Sequence, residues 1–258
     1  MHENNFILKL CGLTKQFGGV TALNEMNIEV LEGDIFGIIG PNGAGKTTIF
    51  NLITGIYPPT RGEVFFDNEN ITNKPPHIIS QKGIARTFQN IRLFSNLTSY
   101  NNVLIACHNQ ARYGILSAFI KTKEYKKQES ILAEEAQKVL NTVGLKGKER
   151  MIASSLPYGE QRKLELARAI ATKPRLLLLD EPAAGMNEYE SQQLIELIRK
   201  IKQEYNITVI IIDHHMDVIM DLCNKIAVLN FGQKIATGSP EEVQNNPCVI
   251  EAYLGADK

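Results

Sequence analysis

The features missing from this sequence each exclude a class of protein. No apolar run approaches the roughly 18 residues that a membrane-spanning helix requires. Met1-His2-Glu3-Asn4-Asn5 has no basic segment followed by an apolar stretch and a small-residue cleavage site, so no secretion signal is expected. Cysteine is scarce. Cys11, Cys107, Cys223 and Cys248 lie far apart with no Cys-x-x-Cys pair, which argues against a zinc knuckle or a disulfide framework and for reduced thiols. Net charge is also missing: 28 basic and 28 acidic side chains cancel, so no long-range field draws the whole chain to nucleic acid or an anionic membrane. Neither an internal repeat nor a low-complexity tract nor a long linker is visible, and a cytoplasmic protein is the expectation. What is present suffices for a globular core: 258 residues at 43% hydrophobic content form one core with room for an attached subdomain. The charge is uneven, because residues 86–160 carry 11 basic and 6 acidic groups.

Short apolar runs at Ile35-Phe36-Gly37-Ile38-Ile39, Leu176-Leu177-Leu178-Leu179 and Ile207-Thr208-Val209-Ile210-Ile211-Ile212 have the length and composition of buried strands. Helical spacing intervenes, with Leu132, Ala136, Val139, Leu140 and Val143 on one face and Leu194, Leu197, Ile198, Ile201 and Tyr205 on another. Alternation of this kind predicts an α/β fold with a parallel core sheet. Segments 27–30 and 64–66 suit an antiparallel β layer. Asn187 and Ser239 each stand three residues before a glutamate, which predicts two capped helix starts. The stretch 90–156 lacks strand runs and is expected to be an inserted helical subdomain, with 1–89 and 157–258 forming the α/β core of a single domain.

The densest chemistry lies in Gly40-Pro41-Asn42-Gly43-Ala44-Gly45-Lys46-Thr47-Thr48, which satisfies the P-loop spacing Gly-x-x-x-x-Gly-Lys-Thr directly after an apolar strand. Phosphate oxygens need several donors in one tight concave turn. Glycines let backbone N–H groups converge without Cβ clashes, and the following helix adds a favourable potential at its amino end. Lys46 is expected on the β- and γ-phosphates, and the Thr47 hydroxyl on Mg²⁺, a hard ion that prefers oxygen. Asp180 and Glu181 follow four leucines; a buried strand would bring Asp180 to the metal and Glu181 to the attacking water. Mg²⁺–ATP is therefore the expected ligand, and hydrolysis the expected reaction.

With these motifs in this order, nearly the whole sequence resembles the ATP-binding subunits of ABC transporters, a P-loop NTPase family. The resemblance implies that Phe17 stacks on adenine, and that Gln89 in Arg86-Thr87-Phe88-Gln89 links the metal and water site to the helical subdomain. It implies that Leu156-Pro157-Tyr158-Gly159-Glu160-Gln161 is the signature, and that His214 is the switch histidine on the γ-phosphate. It makes Glu181, His214 and Gln89 catalytic, with Thr47, Gln89 and Asp180 around the metal. His214 and His215 do not read as a metal pair, because neighbours on a strand point to opposite faces. The family closes the signature of one subunit over ATP in the P-loop of another, so the expected partners are a second ATP-binding subunit, head to tail, and transmembrane permease subunits. The expected location is the cytoplasmic face of the membrane, with no direct contact to the transported substrate and no nucleic acid.

Two departures stand in the signature. The family usually has serine at Pro157 and glutamine at Glu160, which implies one lost hydroxyl donor and an acid near the anion, and hence slower hydrolysis or weaker closure. Proline also suits a first helical turn, where its missing N–H goes unneeded. The departure at Asn187, where aspartate is usual, fits helix capping. Ala183-Ala184-Gly185-Met186-Asn187, the flank Tyr158 to Glu165, the ending Gly238 to Gly255 and the extra residues His108–Gln128 are similar to the branched-chain amino-acid importer branch. The lipopolysaccharide-export ATPase shares the tyrosine signature but not the extra segment, and a soluble nucleotide-gated regulatory protein is a third alternative. Tyr113 to Ile120 with Lys121, Lys123, Lys126 and Lys127 reads either as a packed helix with a solvated basic end or as a surface docking on the membrane subunits.

Overall fold

The computed structural model describes residues 5–110 and 122–254. It divides into two compact units, 1–89 with 175–258, and 90–174.

The first unit holds two sheets. β1 (Phe6–Phe17), β2 (Val20–Leu31), β4 (Arg61–Phe66) and β5 (Glu69–Asn70) form an antiparallel sheet in the order β2-β1-β4-β5. The second sheet runs β10-β9-β3-β8-β7-β6, built from β3 (Ile35–Ile39), β6 (Ile84–Arg86), β7 (Leu176–Asp180), β8 (Thr208–Ile212), β9 (Lys225–Asn230) and β10 (Gln233–Gly238). Its β9-β3-β8-β7-β6 part is parallel, and β10 pairs antiparallel with β9 at the edge. Every residue of β3, β7 and β8 is buried, which is why these strands read as uninterrupted apolar runs instead of alternating ones.

Helices α1 (Lys46–Ile53) and α2 (Pro76–Gln81) belong to this unit, as do α6 (Glu188–Tyr205), α7 (Met216–Leu222), α8 (Pro240–Gln244) and α9 (Pro247–Leu254). α6 buries Leu194, Ile195, Leu197, Ile198 and Ile201 along one stripe. Asn187 and Ser239 both close complete capping boxes: each side chain accepts from the backbone N–H three residues on, and that residue's glutamate accepts from the cap's own N–H. The capping expected at both positions is present.

The second unit contains α3 (Ser99–Cys107), α4 (Lys123–Thr142) and α5 (Tyr158–Ala171). α4 buries Leu132, Ala136, Val139 and Leu140 and ends at the buried Val143, the predicted face. Asn102 is fully buried and works as an internal splint, accepting from the Phe94 N–H and donating to the carbonyls of Phe94 and Thr98. The boundary expected at 156/157 falls instead at 174/175. The reason is packing: α5 lies against α3 and α4, so the helix after the signature belongs with the helical unit. Tyr113 to Lys121 fall outside the described residues. Lys123, Lys126 and Lys127 are exposed on the first turns of α4.

Candidate active site

β3 and α1 bracket the glycine-rich loop, and two of its glycines, Gly40 and Gly45, are required by shape. Gly40 has φ +150°, and a Cβ on it would come within 2.2 Å of the Leu229 carbonyl oxygen on β9. Gly45 has φ +101°, and its Cβ would meet Leu23 Cδ2 at 2.6 Å and the Ala22 oxygen at 2.8 Å. The loop is thus pressed between β9 and the start of β2, and only hydrogen fits at both contacts. Pro41, Asn42, Gly43 and Ala44 form the turn itself, tied by the Ala44 N–H donating to the Pro41 oxygen at 3.1 Å. Gly232, in the β9–β10 turn, donates its N–H to the Ala44 oxygen at 3.2 Å, a further brace on the loop.

Lys46 opens α1, with Thr47 and Thr48 behind it. Its buried ammonium donates to the Gly40 oxygen at 2.6 Å and to the Pro41 oxygen at 3.0 Å. Burial pushes the Lys46 pKa below its ordinary value, while Glu181 and Asp180 pull it back up. That opposition places both acids of the β7 end electrostatically near the loop lysine.

Asp180 is the last residue of β7, and its carboxylate is held by Arg86 Nη2 at 2.6 Å. Glu181 follows with φ +47°, a left-handed conformation uncommon for a side-chain-bearing residue, and its N–H donates to the Ile212 oxygen at 2.7 Å. This turn carries the Glu181 carboxylate between two partners. Gln89 Nε2 donates to Oε2 at 2.6 Å, and His214 Nε2 lies 2.8 Å from Oε1. The structure therefore brings Gln89, Glu181 and His214 together, although 92 residues separate the first two in sequence.

β8 ends at Ile212, so His214 and His215 lie in the turn before α7 and not on a strand; strand alternation is not what separates them. The separation comes from Asp213. It is buried, accepts from the Ala183 N–H at 3.1 Å and the His215 N–H at 2.9 Å, and holds His215 Nδ1 at 2.7 Å. His215 is thus committed to orienting Asp213 and the Ala183 backbone, while His214 turns to Glu181.

Phe17 ends β1, 42% exposed, and packs edge-on against Tyr57 with ring centroids 5.3 Å apart. The Lys15 ammonium sits 4.9 Å from the Phe17 ring centre and 5.8 Å from that of Tyr57. Tyr57 escapes sequence reasoning because nothing local marks its partner. Tyr253 of α9 lies against the loop as well: burial raises its phenol above the ordinary value, with a backbone hydrogen bond at Gly40 opposing the shift.

In the helical unit, Pro157 is the N-cap of α5 and gives no side-chain hydrogen bond; its carbonyl accepts from Glu160 and Gln161. Tyr158 and Gly159 form the first turn. The acid expected to stand near the anion is not isolated, since the Glu160 carboxylate pairs with Lys148. Further along, Arg162 is buried against Glu165 at 3.0 Å and donates to the Tyr158 hydroxyl at 3.1 Å. Glu165 also accepts from the Arg92 N–H at 3.3 Å, and Arg168 Nη1 donates to the Arg92 oxygen, so α5 fixes the segment just beyond Gln89.

Comparison with known proteins fits this geometry. The ABC transporter family matches residues 23–184, and the branched-chain amino acid ATP-binding cassette transporter family matches residues 233–258. The high-affinity branched-chain amino acid transport ATP-binding protein BraF of Pseudomonas aeruginosa is 45% identical over 249 residues, covering 96% of this chain and 98% of that protein. A crystal structure of an ABC transporter's ATP-binding cassette in its ADP conformation superposes with a TM-score of 0.83 at 32% identity, covering 97% of this chain and 99% of that one. A dimeric, post-hydrolysis cassette bound to ADP and Pi superposes at 0.75 with 26% identity, covering 90% and 98%. With a family match over more than half of its residues and a relative this similar along nearly its full length, the chain belongs to the ABC transporter family and is one of its ATP-hydrolysing subunits.

Proposed function

We propose that the chain is the ATP-hydrolysing motor of a membrane importer for branched-chain amino acids, working on the cytoplasmic face with permease subunits and a second ATP-binding subunit. The observation that carries the motor reading is Glu181 held between Gln89 and His214 beside a loop in which Gly40 and Gly45 admit no side chain. The name of the relative BraF and the family match at residues 233–258 support the choice of cargo. Among the described residues no helix is long and apolar enough to cross a membrane.

The nucleotide's phosphates would sit on the N–H groups of the Gly40–Thr48 turn, with Lys46 exchanging the Gly40 and Pro41 carbonyls for phosphate oxygens. Phe17, paired with Tyr57, offers a half-exposed aromatic face to the adenine. Thr47, Asp180 and Gln89 would hold Mg²⁺. The donor chemistry fits: all three offer hard oxygens, and the Asp180 carboxylate already holds a cation, the Arg86 guanidinium. Bound there, the ion would neutralise charge on the β- and γ-phosphates.

Glu181 accepts the proton of the attacking water at an oxygen whose direction Gln89 and His214 fix, and His214 reports the γ-phosphate to the acid. Pro157, Tyr158, Gly159 and Glu160 would cover a partner's ATP, where the Lys148 pairing of Glu160 reduces repulsion of the anion. The test is Glu181→Gln, which keeps volume and hydrogen-bond reach but removes the base. ATP turnover is expected to fall by about 10²–10⁴-fold with ATP binding retained. Turnover within threefold of wild type would remove Glu181 from the mechanism. Capture of integral membrane partners and ATP-dependent uptake of leucine into vesicles test the importer assignment; uptake of an unrelated solute only would overturn it.

A further inference from the structure

The ion-pair partner of Asp180 is Arg86, which stands beside the Gln89 motif and to which the sequence assigns no role. Arg86 closes β6, where it pairs in register with Leu178 of β7. Its Nη2 lies 2.6 Å from Asp180 Oδ2, and both side chains are almost wholly buried, 6% and 4% exposed. Its Nη1 donates to Asn51 Oδ1 at 2.8 Å and reaches Thr54 Oγ1 at 3.4 Å, in and just past the last turn of α1. The rings of Phe50 and Phe88 flank the guanidinium at 5.4 and 5.0 Å. One planar, permanently charged group thus joins the strand end that carries Asp180 to the helix that begins at Lys46 and Thr47.

We propose that Arg86 is a positioning residue for the metal carboxylate, an internal cation that holds Asp180 in place and that the divalent cation of the nucleotide complex must displace, or share the carboxylate with. The inference rests on the Mg²⁺–ATP reading of the site. The physical reason is desolvation: a carboxylate this buried is strongly disfavoured as a lone charge and requires a positive partner at all times. Arginine supplies it without any change of protonation, and its fork reaches Asp180 and α1 at once, so Asp180 and the P-loop helix move as one body. The same contact makes Arg86 and a divalent cation competitors for one anion. Arg86 therefore lowers the apparent affinity for the cation while keeping the site folded in its absence.

The experiment titrates Mg²⁺ against a fluorescent ATP analogue in wild type, Arg86→Met and Arg86→Lys, with binding in EDTA and thermal melting without divalent cation measured alongside. In Arg86→Met the Mg²⁺ midpoint is expected to fall at least fivefold and the metal-free melting temperature to drop, with a larger upward shift on adding Mg²⁺–ADP than in wild type. Arg86→Lys, which can pair with Asp180 but cannot span to Asn51, is expected between the two, and it carries the test if Arg86→Met does not fold. Adding Asp180→Asn to Arg86→Met removes the lone charge and is expected to restore the metal-free melting temperature. An unchanged Mg²⁺ midpoint in folded variants overturns the proposal while leaving the nucleotide site intact. Failure of wild type itself to bind the analogue overturns the underlying reading instead.

Discussion

Gly40→Ala should be far more damaging than Gly43→Ala, although both residues lie in the same loop at positive φ. Gly43, at φ +80°, has nothing within 4 Å of a built Cβ, so alanine there meets only backbone strain, about 1–3 kcal/mol. Gly40 adds a collision: its Cβ would lie 2.2 Å from the Leu229 oxygen and 3.1 Å from both the Leu229 carbonyl carbon and Ala44 Cβ. A backbone carbonyl cannot rotate away as a side chain can. It retreats only with β9, which is locked to β3 in the register Ile39↔Val228. Overpacking of this kind adds about 1–3 kcal/mol to the strain. The sum, about 2–6 kcal/mol, lowers the melting temperature by roughly 4–24 °C at about 2–4 °C per kcal/mol for a domain of this size. Relief of the 2.2 Å contact also requires the loop to shift by about 1 Å, which misplaces the N–H groups that face phosphate and weakens ATP binding. Differential scanning fluorimetry and calorimetric ATP titration read the two effects. Equal melting temperatures and equal ATP affinities for the two variants would refute the steric reasoning.

Three further outcomes follow from the same geometry. Lys46 is depressed by burial, so the folded chain binds fewer protons than the unfolded chain as pH approaches 10.5, and the charged ammonium penalises the fold below its folded pKa. The stability advantage of Lys46→Met over wild type should therefore shrink as pH rises from 8 toward 10, measured by urea melts, while ATP affinity is at least 100-fold weaker throughout; an advantage that grows with pH would contradict the sign. Burial pushes the Cys107 thiol up to about 11 and Cys223 to about 12, whereas Cys248 is exposed and Cys11 partly so. A chromogenic disulfide should then label two thiols of the native chain at pH 8 and four after denaturation, and rapid native labelling of all four would be inconsistent with the fold. Asn187→Ala removes one half of the capping box on α6 and should lower stability by about 1 kcal/mol with ATP turnover changed less than twofold; a turnover loss of tenfold would give Asn187 a role beyond capping.

What the sequence made legible depended on whether the signal was local. The P-loop spacing, the apolar runs of β3, β7 and β8, and both capping boxes are each written within a few consecutive residues, and each corresponds to an element described above. β9 carries a weaker signal, four apolar residues in Ile226-Ala227-Val228-Leu229 of which one is alanine. β6 has only three residues, too few for any periodicity. The boundary at 156/157 was misplaced because an amphipathic helix states that it has a buried face, not which unit covers it; contact with α3 and α4 decides that for α5. Arg86, Tyr57 and Lys148 were invisible for a related reason, since their partners lie elsewhere in the chain, 94 residues away in the case of Arg86 and Asp180.

These internal partners change what binding a nucleotide means in this site. Lys46 already donates to two loop carbonyls, Asp180 already holds Arg86, and Glu181 is already bracketed by Gln89 and His214. Phosphate and its cation therefore do not simply add contacts to lone charges. They exchange one set of charge-assisted hydrogen bonds for another, and the affinity is the difference between two large terms. A single-residue change that removes an internal partner should then strengthen one step of binding while weakening the fold that supports it, as argued for Arg86. Removing a group that faces the phosphate, as in Lys46→Met, instead deletes the favourable side of the exchange. The two kinds of variant should move stability and nucleotide affinity in opposite relation, and it is this relation, more than the size of either loss, that separates a residue holding the site from one holding the nucleotide.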